Sequence, residues 1–179
     1  HAGQGEYRTA SQTLERILQD YPNSPLAPQV LFELGRILLA EDRLPEAIAR
    51  YQELRWAYPT FAQRRVAQRQ LADIYFQLEE YDQAIELYRQ LSEGQEEGEE
   101  AGRILHRLAQ AYQGRGEFAA ALETYRRLLA QGLPRDSAVG LDSVYFAQAA
   151  LLARLGQEEE AIARFLKVRD DFAQSTLVP

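Results

Sequence analysis

The chain has 179 residues, 46% of them hydrophobic, with 27 acidic against 20 basic side chains and a formal charge of −7. That balance excludes the broad basic surface on which salt-driven nucleic-acid binding depends. No apolar run approaches the ~18 residues that would suit direct membrane insertion. Lack of cysteine removes disulfides, thiolate catalysis and cysteine metal sites, and lack of methionine behind a start at His1 predicts a piece of a longer protein.

In chain order, the pattern is a repeat. Ala10, Ala47, Ala84, Ala121 and Ala161 recur at intervals of 37, 37, 37 and 40 residues, and a period of this length predicts a stacked array. The first element is an unpaired helix over roughly Gly5–Asp20, whose Tyr7, Leu14, Ile17 and Leu18 lack a partner helix of their own. They are expected to pack on the next repeat, or to leave surface for self-association at a cut end. The first hairpin carries Leu34-Gly35 and Leu38, a turn at Glu41–Arg43, then Ala47, Tyr51 and Leu54, with Pro45 tolerable in a first helical turn. Leu71-Ala72, Tyr75, Ala84, Tyr88 and Leu91 repeat the offsets, as do Leu108-Ala109, Tyr112, Ala121, Tyr125 and Leu128 around a turn at Gly114–Gly116. The last hairpin reads Gln148-Ala149 and Leu152, then Gly156, then Ala161, Phe165 and Val168. Large residues three or four apart form one buried stripe per helix, and the small residues let paired helices approach closely. Tyr7, Leu44, Tyr81 and Phe118, each three before its alanine, should pack at the start of the second helix, a rule that Glu158 breaks.

These offsets resemble the tetratricopeptide repeat, over nearly the whole chain. The resemblance implies an all-α right-handed solenoid of nine helices without strands. A half repeat at 1–22 would precede full repeats at 23–59, 60–96, 97–134 and 135–174, with a further one starting at 175–179. The usual period is about 34; the extra residues fall in junctions such as Tyr21-Pro22-Asn23-Ser24 and Phe172-Ala173-Gln174-Ser175. A Tyr-Pro-x-Ser junction is similar to that of bacterial cell-envelope members, of the Tol–Pal-associated and β-barrel-assembly lipoprotein types, and implies a periplasmic setting.

In this family the first helices line a concave groove. The expected groove residues are Gln29, Phe32, Glu33, Arg36 and Leu39; Val66, Arg69, Gln70, Asp73 and Phe76; Arg103, His106, Arg107, Gln110 and Gln113; and Ser143, Phe146, Ala147, Ala150 and Arg154. Arg36, Arg69, Arg103 and Arg107 gather guanidinium groups among the aromatics Phe32 and Phe76, which suits a protein or peptide partner that is acidic or carboxylate-terminated. The alternative is a solvated face, paired locally with Glu33 and Asp73. Arg103 and Arg107 match two basic positions of the chaperone-tail clamp found in some members. Phe32 replaces a third, and Arg36 and Gln70 stand where asparagines would, so the clamp is incomplete.

Other features read as structural. His106 has neither the ligands for a metal nor the partners for a triad. The acidic run Glu93–Glu100 reads as a solvated turn whose later glutamates favour the start of the next helix, with attraction of a basic partner or a calcium ion as the other reading. Trp56 is expected in inter-repeat packing, with a surface hot spot as the other reading. Phosphate loops and nucleophile elbows are missing, so neither catalysis nor a cofactor is expected. The sequence therefore predicts a non-catalytic interaction scaffold in a bacterial envelope assembly, or a spacer that self-associates through its ends.

Overall fold

The computed structural model describes residues 2–93, 98–132 and 139–172, with side chains from Tyr7 onward. These residues form nine α-helices and no strand: α1 (Ala2–Asp20), α2 (Ala27–Ala40), α3 (Leu44–Ala57), α4 (Arg64–Gln77), α5 (Tyr81–Glu93), α6 (Glu99–Arg115), α7 (Phe118–Ala130), α8 (Leu141–Arg154) and α9 (Glu158–Asp171). Pro28 and Pro45 sit in the first turns of α2 and α3, where a missing N–H breaks no helical hydrogen bond. Glu99 and Glu100 occupy the first turn of α6, as expected of the acidic run; residues 94–97 lie outside the described residues.

The tight turns obey one rule. Five residues before Ala47, Ala84, Ala121 and Ala161 stands a left-handed residue: Asp42 (φ 59°), Glu79 (58°), Gly116 (84°) and Gly156 (75°). At three of them a Schellman pair of hydrogen bonds closes the helix end. Arg43 N bonds Leu38 O at 2.9 Å and Asp42 N bonds Leu39 O at 3.1 Å, with the same pattern at Glu117–Tyr112 and Gly116–Gln113, and at Gln157–Leu152 and Gly156–Ala153. Glycine adopts this conformation freely, whereas Asp42 and Glu79 hold it against their own Cβ.

The chain divides into two compact units, His1–Leu78 with α1–α4 and Glu79–Pro179 with α5–α9. In the first, α1 packs on α2, α2 on α3 and α3 on α4. Leu31, Leu34, Leu38, Ala47, Tyr51, Leu54, Leu71 and Ile74 are at most 1% exposed. Burying each large side chain of this kind contributes ~1.5–3 kcal/mol. At Gly35 two helices meet closely: a Cβ there would lie 2.6 Å from the Tyr51 ring. In the second unit α5 packs on α6, α6 on α7, α7 on α8 and α8 on α9, around Leu105, Ala109, Ala121, Tyr125, Leu128, Val144, Leu151 and Leu152.

Three positions depart from expectation. Along α1 it is Ser11, not Ala10, that is fully buried, with its hydroxyl donating to Arg8 O at 3.1 Å; Leu14 and Leu18 are half-buried, and Tyr7 and Ile17 stay exposed. Trp56 does not pack between repeats: it is 75% exposed, with the Arg55 guanidinium 5.1 Å above its ring. It lies two residues past the buried Leu54, about 200° around the helix and so on the opposite face. Gln148 takes the place of Leu34, Leu71 and Leu108, is 1% exposed, and neither its amide nitrogen nor its oxygen has a hydrogen-bond partner.

Candidate functional site

The first helices α2, α4, α6 and α8 bury one stripe and leave a polar row half-exposed, and most of the predicted site residues fall on that row. On α2, Glu33 organises its neighbours: Gln29 Nε2 donates to it at 3.1 Å and Arg36 Nη1 at 2.9 Å. Phe32, expected as an anchoring surface, is instead 7% exposed and tilted against Phe61 with centroids 6.2 Å apart. The covering residue comes from the next junction, 29 positions on. On α4, Arg69 pairs with Asp73 at 3.1 Å, and Phe76 is half-buried. Gln70 accepts a hydrogen bond from the Tyr51 hydroxyl. Burial pushes the Tyr51 phenol well above its ordinary range, so it remains a neutral donor.

In the second unit, α6 brings Arg103, His106, Gln110 and Gln113 to one face at spacings of three and four. Arg103 is held by Glu100 at 2.8 Å and Glu99 at 3.7 Å. Arg107 Nη1 donates to Gln110 Oε1 at 3.3 Å. The His106 ring leans on Tyr125, centroids 5.9 Å apart, and burial, then the Arg107 charge, lowers its pKa from the ordinary imidazole value and so favours the neutral ring. The Tyr125 hydroxyl, whose pKa burial raises to about 12, donates to Gln113 Oε1 at 2.8 Å.

Beyond Gln113 a cleft of about 360 Å³ opens between the C-terminal ends of α6 and α8, lined by Gln113, Gly114, Phe118, Ala150, Leu151 and Arg154. The Arg154 guanidinium lies 5.1 Å from the Phe118 ring centroid. Sequence reasoning placed Gln113, Ala150 and Arg154 on this face, but not the Phe118 wall or the tyrosine hydroxyls that orient Gln70 and Gln113. The available signal was that the aromatic four residues after the alanine is Tyr at positions 51, 88 and 125 but Phe at 165.

The local alternative for the arginines is thus realised at Arg36, Arg69 and Arg103, yet it does not take them out of play. Arg36 and Arg103 are 54% and 52% exposed in these pairs. Exposed helix pairs three or four apart contribute only ~0.3–0.5 kcal/mol, so an incoming carboxylate displaces them at small cost. Among the described residues no group of three or more His, Asp or Glu is placed to hold a metal ion. No described helix is long and apolar enough to cross a membrane.

Two tetratricopeptide-repeat profiles match the sequence, one over residues 1–60 and the other over residues 63–132. None of the curated proteins matches it. Among solved structures, MamA of AMB-1 superposes with a TM-score of 0.74 at 21% identity, over 99% of this chain and 88% of that one. A Podosopora anserina protein assigned as a kinesin light chain, with nearly identical TPR-like repeats, gives 0.72 at 21% identity over 97% and 90%. MamA of MSR-1 gives 0.70 at 21% identity over 98% and 92%. At such identities the likeness establishes the fold: an all-α array of helical hairpins.

Proposed function

Because the chain belongs to the tetratricopeptide-repeat family, whose fold generally serves as a non-catalytic scaffold for protein–protein contacts, we propose that it holds a partner segment along the exposed faces of its first helices. The observation that carries this reading is the polar row on the first helices. Arg36, Arg69, Gln70, Arg103, His106 and Gln110 stay exposed or half-exposed on α2, α4 and α6, while Tyr51, Tyr88 and Tyr125 of the second helices are buried in the core. Guanidinium and amide donors of this kind suit acidic groups or a terminal carboxylate on an extended or helical partner. The Tyr-Pro-x-Ser junction directs the search to bacterial envelope assemblies. The test is a pull-down from bacterial lysate and envelope extract, comparing the parent with an Arg36→Glu/Arg103→Glu/Arg107→Glu variant of unchanged helicity. A partner held by the parent and lost by the variant supports the reading; equal capture by both refutes a role for these arginines.

A second reading, self-association through the end helices, is favoured by α9. One and four residues after their alanines, Ile85 and Tyr88 are 5% and 0% exposed, and Leu122 and Tyr125 are 4% and 1%. The equivalent Ile162 and Phe165 are 58% and 38% exposed, with Leu166 beside them at 42%. Sedimentation equilibrium across a concentration series tests this: a mass that rises with concentration, and stops rising in Ile162→Glu, supports association, and a constant monomer mass refutes it.

A further inference from the structure

The cleft at the ends of α6 and α8 offers a guanidinium that no carboxylate of the described residues engages. Arg36, Arg69 and Arg103 already face carboxylates on their own helices, and Arg115 faces Asp82 and Glu117. Arg154 has no carboxylate at ion-pair distance among the described residues; its guanidinium lies over the face of Phe118. A guanidinium lying on an aromatic face is held in place there, while its N–H edge stays free to donate. Across the cleft Gln113 is fixed through its oxygen by the Tyr125 hydroxyl, so its amide NH₂ remains a donor. Between these donors, the half-exposed Phe118 and Ala150 and the 1%-exposed Leu151 form an apolar lining. A volume of about 360 Å³ is at the lower end for a ligand pocket, and fits one long side chain better than a whole cofactor.

We propose that this cleft anchors a glutamate side chain of the partner. Its carboxylate takes the Arg154 fork and the Gln113 amide, and its methylenes lie on Phe118 and Leu151. Two donors on different helices confer geometric selectivity that a lone surface charge lacks. This rests on the scaffold reading above and names the chemistry of one of its subsites. It also separates the anchoring position from Arg103 and Arg107, which lie on the earlier turns of α6.

The test uses glutarate, a dicarboxylate one end of which reproduces the carboxylate and methylenes of a glutamate side chain, and glutaramide, its neutral counterpart. The full chain is titrated with each while the Arg154 Nε–H and Gln113 side-chain NH₂ signals are followed by ¹H–¹⁵N NMR. Glutarate is expected to move both saturably, and glutaramide to leave them in place. Arg154→Gln should weaken glutarate binding at least tenfold, read at Gln113. Arg154→Lys, which keeps the charge but loses the planar fork, should weaken it severalfold. Glutarate shifts spread equally over all arginines, or unchanged affinity in Arg154→Gln, would overturn the proposal. The same Arg154→Gln chain is carried through the pull-down. Full capture by it, with capture lost in the triple arginine variant, refutes the cleft and leaves the scaffold reading standing. No capture by any chain, with glutarate still seated at Arg154, counts against the scaffold and not against the cleft.

Discussion

Replacing Gln148 with leucine should stabilise the protein. Gln148 lies on the inner face of α8 with Val144, Leu151 and Leu152 four before and three and four after it, all at most 1% exposed. Its amide has surrendered water without gaining a partner at either polar atom. A buried amide or hydroxyl left unpaired costs about 1–3 kcal/mol on mutational scales. Leucine has nearly the same size and is the residue at the matching positions 34, 71 and 108, so Gln148→Leu should recover about that amount without overpacking. Stability in a repeat array is largely local and nearest-neighbour, so the gain should appear first in the hairpin of α8 and α9. Native-state hydrogen exchange at the Leu151 and Leu152 amides should slow by roughly 5–150-fold, and the urea midpoint by far-UV circular dichroism should rise with little change in slope. An unchanged or lowered midpoint, together with unchanged exchange, would show that the amide is satisfied in solution and the reasoning wrong.

Three further outcomes follow from the same structure. Gly35→Ala should lower stability by ~1–3 kcal/mol in urea melts, because the new Cβ meets the fully buried Tyr51 ring at 2.6 Å and overpacking outweighs the ~1 kcal/mol gain in helix propensity. A neutral or stabilising effect would mean the ring has room to move. Asp42→Gly and Glu79→Gly should each stabilise by up to ~1 kcal/mol, since both relieve a left-handed backbone, while Gly116→Glu should cost a similar amount; opposite signs in the same assay would refute the turn rule. His106, with its pKa held below 6.5 by burial and then by Arg107, binds its proton more weakly folded than unfolded. Its contribution is therefore complete above about pH 6.5 and is lost as pH falls toward the folded value. The drop in urea midpoint from about pH 7.5 to 5.5 should be smaller in His106→Gln, and an equal drop in both chains would assign it to other groups.

Much of this was legible because the repeat writes the core four times. Ala47, Ala84 and Ala121 are 0% exposed and Ala161 3%, and Tyr51, Tyr88 and Tyr125 are at most 1%, as the shared offsets required. Phe32 was misread because its cover, Phe61, arrives from the next junction, a contact that no single-helix pattern contains. Trp56 was misread for the opposite reason: counting two residues on from Leu54 already turns it outward. The arginines Arg36, Arg69, Arg103 and Arg107 remain exposed or half-exposed, but their pairing depends on side-chain rotamers that spacing permits without selecting. Gln148 was visible as a break in a column of leucines, while its lack of partners could be seen only once its surroundings were in place.

Trp56 has a practical consequence for optical work. It is the single tryptophan, and at 75% exposure its indole already sits in water before the chain unfolds. Its emission should therefore change little on denaturation, and a flat tryptophan trace would say nothing about whether the core had melted. The loss of structure must be followed through the buried tyrosines or the helical backbone signal. That silence makes the indole useful in another way: a blue shift on adding a second macromolecule would report burial of the end of α3 itself, uncontaminated by unfolding elsewhere.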